Sequence, residues 1–238
     1  MDEIARPQMQ SLPQGFRAVV IGASGGIGSA LVRMLKLHNG IGELVPISRS
    51  SDNLDLLDED SVAAAAEKLS GSPLHLMICA TGALTLADRP PEKALKQIDP
   101  EIMLQHFRVN AIGPALIAKH FLPLLDRKER AIAAFLSARV GSIGDNRLGG
   151  WISYRSSKAA LNQIVRTAAV EIARTHLRAA VVAVHPGTVR TKLSAPYSAG
   201  HPTLDADKAA AMILATLDGI PADETGAFWA YDGKRIDW

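Results

Sequence analysis

Hydrophobic and polar positions follow two regimes along this chain. Short apolar runs rich in β-branched residues recur at AVVIG (18–22), ELVPIS (43–48), LHLMICA (74–80), AIAAFLS (131–137), AAVVAVHP (179–186) and GAFWAYDG (226–233). They do not alternate with polar residues, so they predict strands buried on both faces. Longer segments separate them: Ile27 to Leu37, Asp58 to Leu69, Pro100 to Leu125, Tyr154 to Thr175 and Asp205 to Leu217. In the fourth, Leu161, Ile164, Val165, Ala168, Ala169 and Ile172 return at three- and four-residue steps, which makes one apolar stripe on a helix.

Strands alternating with helices predict an α/β fold, a single-domain doubly wound parallel sheet of Rossmann-like type with helices on both faces. No Pro/Gly/Ser-rich linker or charge block interrupts the alternation, so residues 17–238 read as one domain behind an N-terminal extension, residues 1–16. In such sheets ligands bind at the carboxyl ends of strands, and candidate chemistry belongs there.

Composition removes several alternatives. The formal charge is +2, with 26 basic and 24 acidic residues interspersed, so no basic block exists to track nucleic-acid phosphates. Polar residues break every apolar run well short of a membrane span. The start, MDEIARPQMQSLPQG, has acids where a signal peptide needs an apolar core, and the lone Cys79 has no disulfide partner; the expectation is a cytoplasmic protein. His185 and His201 have no partner at metal-ligand spacing, so no metal is expected.

The first strand runs into GASGGIGSALVRML, where Gly22, Gly26 and Gly28 precede a helix at once. Glycines permit the tight turn and let a pyrophosphate approach the backbone, while free N–H groups and the helix dipole hold its charge. Ser24 adds a hydroxyl. Further on, YRSSK sets Tyr154 and Lys158 one helical turn apart on one face. A phenol titrates near 10, and a lysine ammonium beside it would favour the phenolate and bring that value down for acid–base work.

Glycine spacing and the Tyr–Lys pair together resemble the short-chain dehydrogenase/reductase family, over nearly all of the chain from Arg17 to Trp238. GSIGDN, GGWISYRSSKAALN and the ending GAFWAYDGKRIDW look most like its C-factor-like, carbonyl-reductase-like branch, one type of which is a cell-to-cell signalling factor. The resemblance implies a nicotinamide dinucleotide, with Gly22, Ser24, Gly26, Ile27 and Gly28 at its phosphates and Tyr154 as the acid/base of hydride transfer to a small carbonyl or from an alcohol. Lys158 would also hold the nicotinamide ribose, and Asn110 would interrupt its helix and hold a relay water. Pro186, Gly187, Val189 and Thr191 would face the nicotinamide, Asp55 and Leu56 the adenine, and Gly82 the ribose.

After the second strand, Arg49 and Ser50 stand where an acid would select NAD, so NADP is favoured and NAD remains possible; Asp52 nearby bears on the balance. Cys79-Ala80-Thr81-Gly82 replaces the family's usual N-N-A-G, and both asparagines are missing. The family's usual catalytic serine falls on Ala138. Ser137 would point to the other strand face, and Ser142, one residue short of the usual separation from Tyr154, would have to swing inward; either serine is a candidate. The stretch SAPYSAGHPTLDADK would form a lid, with Tyr197 and His201 as substrate contacts. The resemblance also implies a homodimer or homotetramer paired through the helices Pro100 to Leu125 and Tyr154 to Thr175. The alternative to an enzyme is a dinucleotide-binding signalling or scaffold protein with little turnover.

Overall fold

The computed structural model describes residues 8–191, 193–197 and 202–238; His201 lies outside the described residues. Six strands form one parallel sheet: β1 (Phe16–Ile21), β2 (Ile41–Ile47), β3 (Leu76–Cys79), β4 (Ala131–Leu136), β5 (Ala179–His185) and β6 (Phe228–Ala230), in the order β2-β1-β3-β4-β5-β6. The order reverses between β1 and β3, which opens a crevice at their carboxyl ends.

Helices cover both faces. On one side α1 (Gly26–Lys36) and α7 (Ala206–Gly219) pack over Val20, Ile78, Ala134 and Val182; on the other α3 (Glu59–Glu67), α5 (Gly113–Phe121) and α6 (Ile152–Ile172) pack over Val19, Met77, Phe135 and Val181. Consecutive strand residues therefore serve opposite cores, which is why these strands read as continuous apolar runs. Short α2 (Arg49–Asp52) follows β2, and α4 (Pro100–Phe107) starts behind Asp99, whose carboxylate accepts from the Glu101 and Ile102 N–H groups with Pro100 in the first turn.

One strand departs from expectation. β2 is half exposed, because it forms the sheet edge and has β1 as its neighbour on one side. Ile47 turns its carbonyl to Gly22 N–H, so the adjacent Pro46 faces the open edge, where its missing donor costs nothing.

The helix expected over Pro100 to Leu125 is continuous but widens to a π turn over Arg108–Ile112, with Asn110 at its middle. In the extension, Met9 and Leu12 are buried against the α7 side of the sheet, and the Gln10 and Ser11 N–H groups donate to Asp218 at 2.9 and 2.7 Å.

Candidate active site

At the end of β1, Gly22 takes φ +86°, and its N–H and that of Ala23 donate to the Ile47 carbonyl. A Cβ on Gly28 would collide with the Gly22 carbonyl oxygen, so only glycine lets α1 start this close to the strand. Gly25 is the N-cap and offers no side chain, no acid sits in the first turn, and Ser24 and Gly26 are exposed. The N–H groups of Gly26, Ile27 and Gly28 thus face outward with the positive end of the dipole. This cradle fits a dinucleotide pyrophosphate. From across the crevice, Thr191 lays its methyl where a Cβ on Gly26 would stand, and its N–H donates to Ser194 Oγ at 3.1 Å.

After β2, the Ser48 hydroxyl caps α2 by accepting from Ser51 N–H. Asp52 is turned back onto this cap: it accepts from Ser48 N–H at 2.8 Å and from the Ser51 hydroxyl, and these bonds hold its carboxyl below the usual range. Arg49 and Ser50 are exposed, and Arg49 makes no ion pair among the described residues. Asp55 is also committed locally, accepting from Leu57 N–H at 2.9 Å, while Leu56 packs against the α5 side of the core.

The ends of β3, β4 and β5 converge on α6. Tyr154 and Lys158 are both buried there, at 9% and 3% exposure. Lys158 Nζ donates to the Leu136 carbonyl at 3.0 Å, and Gly82, just past β3, leaves the space a Cβ would need beside that Nζ and Asn110 Oδ1. Burial pushes the Lys158 ammonium down to about 8. It also pushes the Tyr154 phenol up, the reverse of the lowering expected from a neighbouring lysine. Desolvation disfavours the charged form of each group, the phenolate of one and the ammonium of the other.

Asn110 is fully buried. Its Oδ1 accepts from Ala83 N–H at 2.8 Å and its Nδ2 donates to the Ala83 carbonyl at 2.9 Å, a pairing that fixes the amide orientation. Nδ2 also reaches Ser157 Oγ at 3.2 Å and His106 Nδ1 at 3.3 Å. The π turn thereby ties the loop after β3 to the helix that carries Tyr154.

A cavity of about 650 Å³ opens at these strand ends, lined by Ile27, Ala138, Tyr154, Pro186, Val189 and Thr191 among others. Gly187, at φ +81°, turns the chain after β5 into its wall. Neither serine offers it a free hydroxyl. Ser137 lines the cavity, but it follows Phe135 onto the α6 side of the sheet and donates to Asn162 Oδ1 at 2.6 Å. Ser142 lines a separate cavity beside Glu92, and its Oγ accepts from Asp145 N–H at 3.0 Å, closing a turn. Ala138 lines the Tyr154 cavity.

Trp151 and Glu92 escaped the sequence reading, whereas Tyr197 was a candidate contact. Trp151 adopts φ +52° and stands edge-on to both Tyr154 and Tyr197, with ring centroids 6.3 and 5.4 Å away; its position after Gly149-Gly150 and before a helix was the available signal. Tyr197 Oη is 2.8 Å from Thr85 Oγ1, so the segment after β5 is latched across the crevice to the loop after β3. His185 bridges two cavities, and burial pushes its imidazole down to about 4. Glu92 had no local signal at all. Among the described residues, no cluster of three metal-ligating side chains occurs and no helix is long and apolar enough to cross a membrane.

A family model described as enoyl-(acyl carrier protein) reductase matches residues 30–234. Among curated proteins, the 1-hydroxy-2-glutathionyl-2-methyl-3-butene dehydrogenase of Rhodococcus sp. (strain AD45) is 27% identical over 92% of this chain and 98% of its own length. The C-signal protein of Myxococcus xanthus is 32% identical over 61% of this chain and 84% of its own length. The crystal structure of NADPH-bound carbonyl reductase from chicken fatty liver superposes with a TM-score of 0.81 at 23% identity, covering all of both chains. On the family match and this shared fold, the chain belongs to the short-chain dehydrogenase/reductase family.

Proposed function

We propose that this protein is an NADP-dependent oxidoreductase that interconverts a small carbonyl compound and its alcohol, with Tyr154 as the proton donor and acceptor. The observation that carries the reading is the burial of Tyr154 and Lys158, one turn apart on α6, beside a cavity that also meets the glycine cradle. NADPH in the carbonyl reductase of the same fold and the dehydrogenase named among the relatives support it.

Gly22, Ser24, Gly26, Ile27 and Gly28 would hold the pyrophosphate, and exposed Arg49 and Ser50 would receive the 2′-phosphate of the adenosine ribose. Asp52 is held to its own cap through Oδ2, which leaves Arg49 as the cation that would meet the phosphate. Gly82 would let the backbone approach the nicotinamide ribose, and the backbone of Pro186, Gly187 and Val189, with the Thr191 hydroxyl, would orient the nicotinamide. Asp55 and Leu56 would border the adenine.

When bound, the cofactor supplies or accepts a hydride at the carbonyl carbon. The chain supplies the proton. A phenol whose burial raises its pKa is protonated at neutral pH, so Tyr154 Oη holds the proton needed by a carbonyl oxygen that becomes an alkoxide. Lys158 Nζ spends one donor on the Leu136 carbonyl, which leaves two for ribose hydroxyls and for Tyr154. Asn110, clamped to Ala83, would position the loop after β3 and hold a relay water behind Lys158. The Tyr197–Thr85 latch and Trp151 would exclude bulk water, and Ala138 leaves the substrate oxygen to Tyr154. A signalling or scaffold role is not favoured, because buried Tyr154 and Lys158 would have no use in it.

The same reading includes pairing of two or four copies through α4, the π turn, α5 and α6, where Leu104, Ile112 and Val170 are 46–48% exposed. The direct test is NADPH oxidation with a panel of aldehydes and ketones. Turnover that falls by about 10²-fold or more in Tyr154→Phe supports the reading. Tight NADPH binding without turnover on any member, or full activity in the variant, overturns it; tighter NADH than NADPH binding overturns the role given to Arg49.

A further inference from the structure

The charges on the wall of the Tyr154 cavity are unbalanced. Arg139, Arg147 and Arg155, all from the segment between β4 and the first turns of α6, line it with Asp145 as the one acid among the described residues. Asp145 is already paired with Arg139, at 3.3 Å. Arg155 is held in place by two carbonyls, donating from Nε to Gly150 at 2.9 Å and from Nη1 to Val140 at 3.4 Å, which fix the guanidinium without cancelling its charge. Arg147 makes no hydrogen bond or ion pair among the described residues.

Other acids near this mouth are committed elsewhere. Asp232, in the adjoining cavity behind His185, pairs with Lys234 at 3.0 Å. Glu92, which shares the neighbouring cavity with Arg155, is bonded to Ser153. Three arginines thus share one carboxylate, whose field reaches Arg155 as well as Arg139, so the mouth keeps a net positive charge, and Leu84, Leu148 and Trp151 add apolar surface to the same wall. Low-dielectric walls strengthen the field of such charges, and guanidinium groups suit planar oxyanions.

The glycine cradle for phosphates lies on β1 and α1, across the cavity from these arginines, so the cofactor does not account for them. We propose that the substrate is a carbonyl compound bearing an oxyanion, a carboxylate or a phosphate, separated by an apolar spacer from the carbon that reacts at Tyr154. Arg147 and Arg155 receive the oxyanion, and Trp151 and Leu148 cover the spacer. This inference rests on the oxidoreductase reading above and adds the substrate class to it.

The test compares 4-formylbenzoate, 4-formylphenyl phosphate and the neutral methyl 4-formylbenzoate at saturating NADPH, with binding of each measured in parallel by calorimetry. At least one anion is expected to exceed the ester in kcat/KM by about tenfold, a ratio that shrinks as salt is raised. Which anion leads distinguishes a carboxylate from a phosphate substrate. Arg147 is exposed and unpaired among the described residues, so Arg147→Gln should fold normally and lower kcat/KM for the anions far more than for the ester, losing most of that ratio; Arg147→Glu should reverse the preference.

Turnover of all three compounds at equal efficiency overturns the inference and leaves the oxidoreductase reading standing. So does an Arg147→Gln effect confined to the KM for NADPH. If none of the three is turned over, calorimetry decides the anion site, tighter binding of an anion than of the ester upholding it and equal binding overturning it, while the oxidoreductase reading is decided by the wider aldehyde and ketone panel.

Discussion

Glu92 closes the N-terminus of the helix that carries Tyr154 by bonding to Ser153, the residue immediately before it. The carboxylate accepts from the Ser153 hydroxyl and from its main-chain N–H at 3.4 Å, and the Glu92 carbonyl accepts from Trp151 N–H at 2.5 Å. Both residues are buried. An anion here satisfies first-turn N–H groups that nothing inside the helix can satisfy, and it meets the positive end of the helix dipole.

Loss of this acid should cost stability. Glu92→Ala leaves a buried hydroxyl and N–H without their acceptor, an expected loss of about 1–3 kcal/mol. Glu92→Gln keeps an acceptor oxygen and should cost less. Urea unfolding of the ligand-free variants checks the order; equal stability of Glu92→Ala and wild type would remove Glu92 from this role.

Lys158 should show the opposite sign in the same measurement. Its folded value of about 8 lies below the usual 10.5, so between these pH values the unfolded chain binds more protons and stability rises with pH. Below pH 8 the full penalty of burying the ammonium is present. Lys158→Met should therefore lose turnover yet make the ligand-free protein more stable near pH 7. The size is on the order of 1–3 kcal/mol, reduced by the lost bond to the Leu136 carbonyl. The difference should shrink as pH climbs toward 10.5. A gap that widens with pH would contradict the burial argument.

For the serines, replacement by alanine separates structure from chemistry. Ser142→Ala removes the acceptor for Asp145 N–H and Ser137→Ala removes the donor to Asn162, so each should lower stability by about 1 kcal/mol. Neither should slow turnover more than about threefold, far less than loss of a general acid. A larger kcat loss in one variant, with stability unchanged, would show that its hydroxyl leaves its present partner during the reaction.

Much of this site could be read from local pattern. Glycines around a strand-to-helix turn, Tyr154 and Lys158 at one helical turn, and six apolar runs between amphipathic segments all express short-range geometry. Backbone sterics and the 3.6-residue period decide them over a few residues. The continuous helix containing Asn110 was legible too, but its π turn was not, because that turn is matched to the Ala83 backbone, a partner distant in sequence.

The fold class, the glycine turn into α1 and the placing of Tyr154 and Lys158 one turn apart on one helix thus followed from the chain alone, since each depends on neighbours in sequence. Tertiary structure decided which groups are free to act. Sheet order exposed β2, and packing gave the Ser137 and Ser142 hydroxyls to Asn162 and Asp145 N–H. Burial raised the Tyr154 phenol where a neighbouring lysine had suggested lowering. Folding also gathered Arg139, Arg147 and Arg155 around one cavity with Asp145 as the single acid among the described residues. Exposure, hydrogen-bond partners and local charge balance are sums over residues far apart in the chain, and only folding brings those residues together.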